Sequence, residues 1–187
     1  FFATCVNWTV NGRSLLFMLP AVAILIGKRI DMGLVTFSSR ARHYVFITMA
    51  CLGLSVLWMD ADQARIGRDS ANEIASAFKN GESLVFQGHW GFQYYMEQNG
   101  FRALDLAKPE LKPGHIIVTP LNNTNIRLIN TEEAPLVNKV DIPHSRIGVT
   151  MFSPRGAGFY SSIWGPMPYV FGPSEPEVFL IQQVRSQ

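Results

Sequence analysis

Charge is scarce in this sequence: Asp, Glu, Lys and Arg make up 16% of its 187 residues, against about a quarter in soluble domains. A shortage of that size argues against a freely soluble single domain. The net charge of +2 supplies no basic field, which excludes nucleic acid as the main partner. Cysteine is nearly absent, with Cys5 and Cys51 as the two examples, so no disulfide framework is available. Both lie inside apolar stretches, which suits small buried hydrophobes. Aromatic residues, at 12%, are too frequent for a disordered chain. The mean hydropathy of +0.12 is too low for a chain that is membrane throughout, so the apolar residues must be concentrated in one part.

Motifs with a recognised local chemistry are missing too. There is no phosphate-binding glycine loop, no nucleophile elbow, no paired-cysteine metal site and no His-Glu-x-x-His. The four histidines, His43, His89, His115 and His144, are scattered, without the short ligand spacing of zinc sites. No metal and no cofactor is expected. The sequence starts Phe1-Phe2, and no short basic start leads into an apolar stretch with a small-residue cleavage site. The expectation is no signal peptide and a chain that begins within a longer protein.

The apolar residues gather in two blocks. Leu15 to Ile26 lies between Arg13 and Lys28, with 14 uncharged residues between those charges, short of the roughly 20 that a span needs. Arg13 is the only charge before Gly27. It either marks a membrane surface at the end of an earlier span, as the Asn11-Gly12 turn pair favours, or sits at membrane depth facing protein or water. The second block, His43 to Met59, has 17 residues between Arg42 and Asp60, with Tyr44 and Trp58 near its ends, as in an interfacial aromatic belt. A buried core helix is the competing reading. Lys28, Arg29, Arg40 and Arg42 against Asp31 make the loop at about residues 27–43 basic, and therefore cytoplasmic by the positive-inside rule. Residues 1–59 are then a membrane segment of two apolar helices, and residues 60–187 an extracytoplasmic domain.

From Asp60 onward 11 basic residues face 13 acidic ones, so the basic excess belongs to the membrane part. Gly67, Ala71, Ile74, Ala75 and Phe78 recur at helical spacing and predict a helix over about 62–79, stopped by Asn80-Gly81. A strand at 83–87, a sharp Gly88-His89-Trp90-Gly91 turn, a short helix at 92–98 and an extended segment at 101–106 predict a βαβ unit. Residues 115–119 (HIIVT) read as a strand buried on both faces. Weaker strands are expected at 127–129, 136–142 and 146–152, and a last one at 179–184, while the Gly- and Pro-rich residues 153–176 must be mostly loop. The fold class is therefore a helical membrane segment followed by an α/β (α+β) domain.

Several residues are candidates for binding. His89 and Trp90 end a strand, where α/β proteins place ligand sites, although simple turn packing explains them as well. Tyr94 and Tyr95 point to different faces of a short helix, so at least one hydroxyl reaches solvent or a polar partner. Tyr160 and Trp164 lie in the long loop, which is either pinned to its own domain or presented to a membrane or a partner. Arg13, with its guanidinium fork, suits a lipid phosphate, unless it only snorkels to the headgroups.

Three phrases together carry a resemblance: Asn11-Gly12-Arg13-Ser14-Leu15-Leu16 leading to Leu19-Pro20-Ala21, then Gly88-His89-Trp90-Gly91-Phe92-Gln93-Tyr94-Tyr95, then Gly158-Phe159-Tyr160 with Trp164-Gly165-Pro166. Their order resembles the C-terminal part of bacterial polytopic membrane glycosyltransferases related to protein O-mannosyltransferases and aminoarabinose transferases. The resemblance implies the last membrane helices and a periplasmic domain. It further implies a polyprenyl-phosphate-linked sugar as donor and a lipid, protein or glycan acceptor at the outer face of the bacterial inner membrane. In that family the catalytic carboxylate lies in an early extracytoplasmic loop without a counterpart here, so no general base is assigned. Arg13 would hold the donor phosphate, and His89, Trp90, Tyr94, Tyr160 and Trp164 are the candidate substrate contacts. A non-catalytic, membrane-anchored binding module and a wholly soluble domain with two core helices are the other readings; the charge-free blocks disfavour the last.

Overall fold

The computed structural model describes residues 18–33, 38–78 and 83–185. Helix α1 is Leu19–Asp31, with Pro20 in its first turn, where the missing N–H costs nothing. Lys28 and Arg29 fall in its last turn and complement the helix dipole. Its 13 residues include none that is buried. The expected first span is described only from Met18 onward.

Helix α2, Ser39–Ala77, has 39 residues. The second apolar block and the helix expected at 62–79 are one continuous element, because Asp60 and Asp62 interrupt the apolar pattern without interrupting the backbone hydrogen bonds. Among the described residues, α2 is the one helix long and apolar enough to cross a membrane, and its apolar window is only 6% buried. A core helix hides such a window. Phe46 is 74% exposed and Leu54 65%, so among the described residues this block is not buried as a core helix would be. Cys51, expected to be buried, is exposed, since this stretch packs against almost nothing among the described residues.

The strands are β1 (Leu84–Phe86), β2 (Arg102–Ala103), β3 (Ile116–Pro120), β4 (Leu136–Ile142), β5 (Gly148–Val149), β6 (Met151–Phe152), β7 (Ala157–Gly158), β8 (Val170–Phe171) and β9 (Glu177–Gln183), with helix α3 (Trp90–Gln98) between β1 and β2. They group with the helices into two compact units. One joins Asp62–Ser145 with Ser174–Gln187, and the other joins Phe1–Ala61 with Arg146–Pro173.

The first of these is an α+β domain around a five-stranded sheet of order β2-β1-β3-β9-β4. β1 pairs in parallel with β2 and β3, and β9 runs antiparallel to β3 and β4. The β1-α3-β2 unit is as expected. One face of the sheet contributes Leu84, Phe86, Ile116, Val118, Val140, Phe179 and Ile181 to a core closed by Ile66, Ala71 and Ile74 of α2 and by Phe92 and Met96 of α3. The other face contributes Val85 and Ile117, covered by Leu104, Ala134 and flanking apolar residues. Burial on both faces explains the uninterrupted apolar run of β3. Residues 127–129 are not a strand. The Arg127 N–H donates to Gln87 Oε1 at 2.6 Å and its carbonyl accepts from Gln87 Nε2 at 3.0 Å, so a side chain takes the place of a sheet ladder.

In the other unit, the expected strand at 146–152 is split in two. β5 pairs with β8 and β6 with β7, both antiparallel, around Val149, Phe152, Ala157 and Val170. Gly148 has φ +153° and a Cβ there would meet the carbonyl of Val170, which is why a glycine starts this strand. The remaining loop is pinned by Trp164, 5% exposed.

Candidate functional site

The α+β domain has one place where its connections diverge. From β1 the chain leaves through α3 to β2 on one side, whereas from β3 it continues toward β4 on the opposite side of the sheet. Neighbouring parallel strands whose connections part in this way open a crevice beyond their carboxyl ends, the usual ligand position of α/β sheets. Residues 87–90 follow β1 there, and residues 121–125 follow β3.

Gln87, 2% exposed, ties the two strand ends together. Its Nε2 donates to Thr119 Oγ1 at 3.0 Å and to the Arg127 carbonyl, and its Oε1 accepts from the Arg127 N–H. A buried amide with both ends satisfied fixes geometry. Gly88 has φ +98°, and a Cβ on it would stand 2.8 Å from Pro120 Cγ. Its N–H donates to the Asn125 carbonyl at 3.2 Å. The Asn123 side chain then clasps the next residue, with Oδ1 accepting from the His89 N–H at 2.8 Å and Nδ2 donating to the His89 carbonyl at 3.4 Å.

His89 Nδ1 is 2.9 Å from Gln93 Oε1, and Gln93 Nε2 donates to Glu97 Oε1 at 2.7 Å. These residues form an i, i+4, i+8 row along α3. With the Gln93 oxygen as acceptor, His89 Nδ1 is the donor of this contact. Beside this row stand Trp90, 53% exposed, and Tyr94, 57% exposed, one helical turn apart and so on one face. Tyr94 meets Tyr95 edge to face, with ring centroids 5.2 Å apart. Tyr95 packs against the core, so the two tyrosines do face different ways. Trp90 has φ +60°, a left-handed conformation that costs a residue with a Cβ about 1–2 kcal/mol. Trp90 is thus a half-exposed aromatic held by a left-handed backbone at the head of α3.

A second polar cluster, which no local sequence pattern signals, lies near the same strand ends. Glu177, 3% exposed, opens β9. Its Oε2 accepts from Asn122 Nδ2 at 3.1 Å and is 3.3 Å from His144 Nε2, on a histidine whose side chain is 1% exposed. Nearby, Asp62 Oδ2 accepts from the Ser145 N–H at 2.6 Å. Asp62 Oδ1 accepts from Arg65 Nε and NH2, and Arg65 NH2 also donates to the Pro143 carbonyl at 3.3 Å. The hydrogen bond with Asp62 holds the Arg65 guanidinium above its already high ordinary value, so this residue is a permanent cation. The segment 143–145 is thus held by α2 and β9 together. Buried carboxylates of this kind persist only when paired, and sequence separations of 55 and 83 residues hide such pairs from any local pattern.

Of the expected contacts, His89, Trp90 and Tyr94 come together. Tyr160 and Trp164 belong to the other unit. There Tyr160 donates its hydroxyl to Asp60 Oδ2 at 2.8 Å, and Trp164 is buried and serves as an anchor. Arg13 lies outside the described residues. No group of three or more His, Cys, Asp or Glu suited to a metal ion occurs among the described residues. What this exposed face offers is flat aromatic surface beside oriented amide, imidazole and carboxylate groups. Against known proteins, no family model, no curated protein and no solved structure matches this chain.

Proposed function

We propose that this chain is the C-terminal region of an integral-membrane glycosyltransferase. It would transfer a sugar from a polyprenyl-phosphate donor to a lipid, protein or glycan acceptor at the outer face of the bacterial inner membrane. The observation that carries this reading is Trp90, strained at φ +60° and 53% exposed, where two parallel strands part. Left-handed strain in a bulky residue marks positions kept for function rather than stability. A sugar ring has C–H faces and hydroxyl edges. The Trp90 and Tyr94 rings suit the faces, and Gln93, His89 and Glu97 suit the hydroxyls.

In this reading the α+β domain receives the acceptor, α2 anchors it in the membrane, and the residues beyond Asp60 lie on the periplasmic side. Arg13 binds the donor phosphate through charge-assisted hydrogen bonds, and the catalytic carboxylate is supplied from upstream. The test is transfer of labelled sugar from a polyprenyl-phosphate donor by the full-length protein in membranes. Trp90→Ala with Tyr94→Ala is expected to raise the KM for acceptor with donor use unchanged. Arg13→Ala is expected to weaken donor use, with Arg13→Lys restoring it only in part. Unchanged kinetics in both, at normal folded levels, would remove these residues from the reaction.

A membrane-anchored binding module without catalysis is the second reading. What favours it is the close His144–Glu177 pair, which is sealed from solvent and so is out of reach of a substrate. The two readings separate on one result: a binding module retains a carbohydrate ligand at Trp90 and shows no transfer in any membrane preparation.

A further inference from the structure

We infer that the loop between β7 and β8 is a second membrane contact, seated in the lipid headgroup region beside the end of the apolar stretch of α2. The inference rests on the reading of α2 as a membrane helix. It begins with a mismatch: the loop exposes Ile163 at 75% and Met167 at 51%, and the adjoining β8 exposes Phe171 at 48%. Contiguous exposed apolar side chains mark a surface that something covers.

The loop is not loose. Trp164 is buried beneath it, the Gly158 N–H donates to the Met167 carbonyl at 2.7 Å, and the Met167 N–H donates to the Gly156 carbonyl at 3.1 Å. Arg155 NH1 donates to the Pro173 carbonyl at 2.6 Å. A Cβ on Gly158 or Gly165 would run into neighbouring carbonyl oxygens, so two glycines permit a close fold that fixes the tips outward. A surface ordered in advance loses little entropy on docking.

What covers it follows from where it is tied. Tyr160 reaches Asp60, the first acidic residue after the apolar run of α2, next to Trp58, which is 61% exposed. The loop is therefore tied to α2 at the point where charge resumes. Trp and Tyr with polar ends characterise the membrane interface, and a tyrosine hydroxyl bonded to the carboxylate just beyond a span fits headgroup depth. A bilayer around the apolar stretch of α2 is the occupant that a loop tied at this point would meet.

The experiment uses the full chain in lipid nanodiscs with native cysteines replaced by Ser. A single environment-sensitive fluorophore is placed in turn at Ile163→Cys, Leu54→Cys and Glu110→Cys. Ile163 is so exposed that its replacement leaves packing untouched. The expected result is a blue-shifted Ile163 probe, quenched more by nitroxides near the headgroup than by nitroxides deep in the acyl chains. The Leu54 probe should show the reverse depth preference, and the Glu110 probe water-like emission. A water-like Ile163 probe beside a lipid-quenched Leu54 probe overturns the loop contact while the membrane helix stands. A blue-shifted Ile163 probe insensitive to lipid nitroxides also overturns it, in favour of a protein occupant. Water-like emission at both Ile163 and Leu54 removes the membrane reading and the loop contact together.

Discussion

The two halves of α2 follow the same helical geometry and obey opposite rules of burial. Between Tyr44 and Trp58 large apolar side chains are exposed around the helix, Tyr44 at 70% and Trp58 at 61%. From Met59 onward burial becomes one-sided, with Ile66, Ala71, Ile74 and Ala75 at 2% or less, and charges occupy the opposite side. An apolar helix surface is stable only against an apolar surrounding. In the second half that surrounding is the sheet and α3. In the first half the described residues supply almost none, and the stretch is long and apolar enough to cross a membrane. Hydrophobicity alone does not locate a core; its angular distribution does.

The contrast can be broken from either side. The largest effect is expected in the protein core: Phe86→Ala, at a fully buried position, should cost about 3–5 kcal/mol in thermal or denaturant unfolding in detergent, whereas Phe46→Ala should leave unfolding unchanged. Next comes the membrane side, where Leu54→Arg should cost about 2.5–3.5 kcal/mol of insertion free energy. Membrane fractionation after carbonate washing should show the variant partly released, and an unchanged distribution would argue that no lipid surrounds this stretch. Glu177→Ala should cost about 1–3 kcal/mol by removing a buried acceptor, and Glu177→Gln less, because an amide still fills the site. The smallest effect is at Trp90, where Trp90→Ala should change stability by no more than about 0.5 kcal/mol, as for other exposed positions. A large loss of stability there, with normal acceptor use, would return Trp90 to a packing role.

Much of the α+β domain was legible because its signals are local. Gly88 and the Asn99-Gly100 pair bracket a short helix, and the apolar run at 115–119 could only be a strand covered on both sides. Where the reading failed, the deciding interaction was distant. Arg127–Ile129 has strand-like composition, but Gln87, 40 residues away, takes its backbone groups. Asp60 and Asp62 looked like a boundary because a membrane helix and a surface helix differ in composition, and composition does not report backbone continuity. The exposed Trp90 site was half visible. Its position at the end of a strand was readable, but the left-handed φ that leaves the ring outside is not encoded in the turn's residue types. The His144–Glu177–Asn122 cluster was invisible, since its members lie on three separate segments with no spacing rule between them.

The most direct test is the apparent mass and location of the native protein, detected with an antibody against the residues after Asp60 in detergent-extracted, carbonate-washed membranes. The glycosyltransferase account predicts a membrane-retained species several-fold larger than 20.9 kDa, with room for upstream spans and a catalytic carboxylate. A species near 20.9 kDa would contradict it, leaving no room for the upstream spans that the account requires.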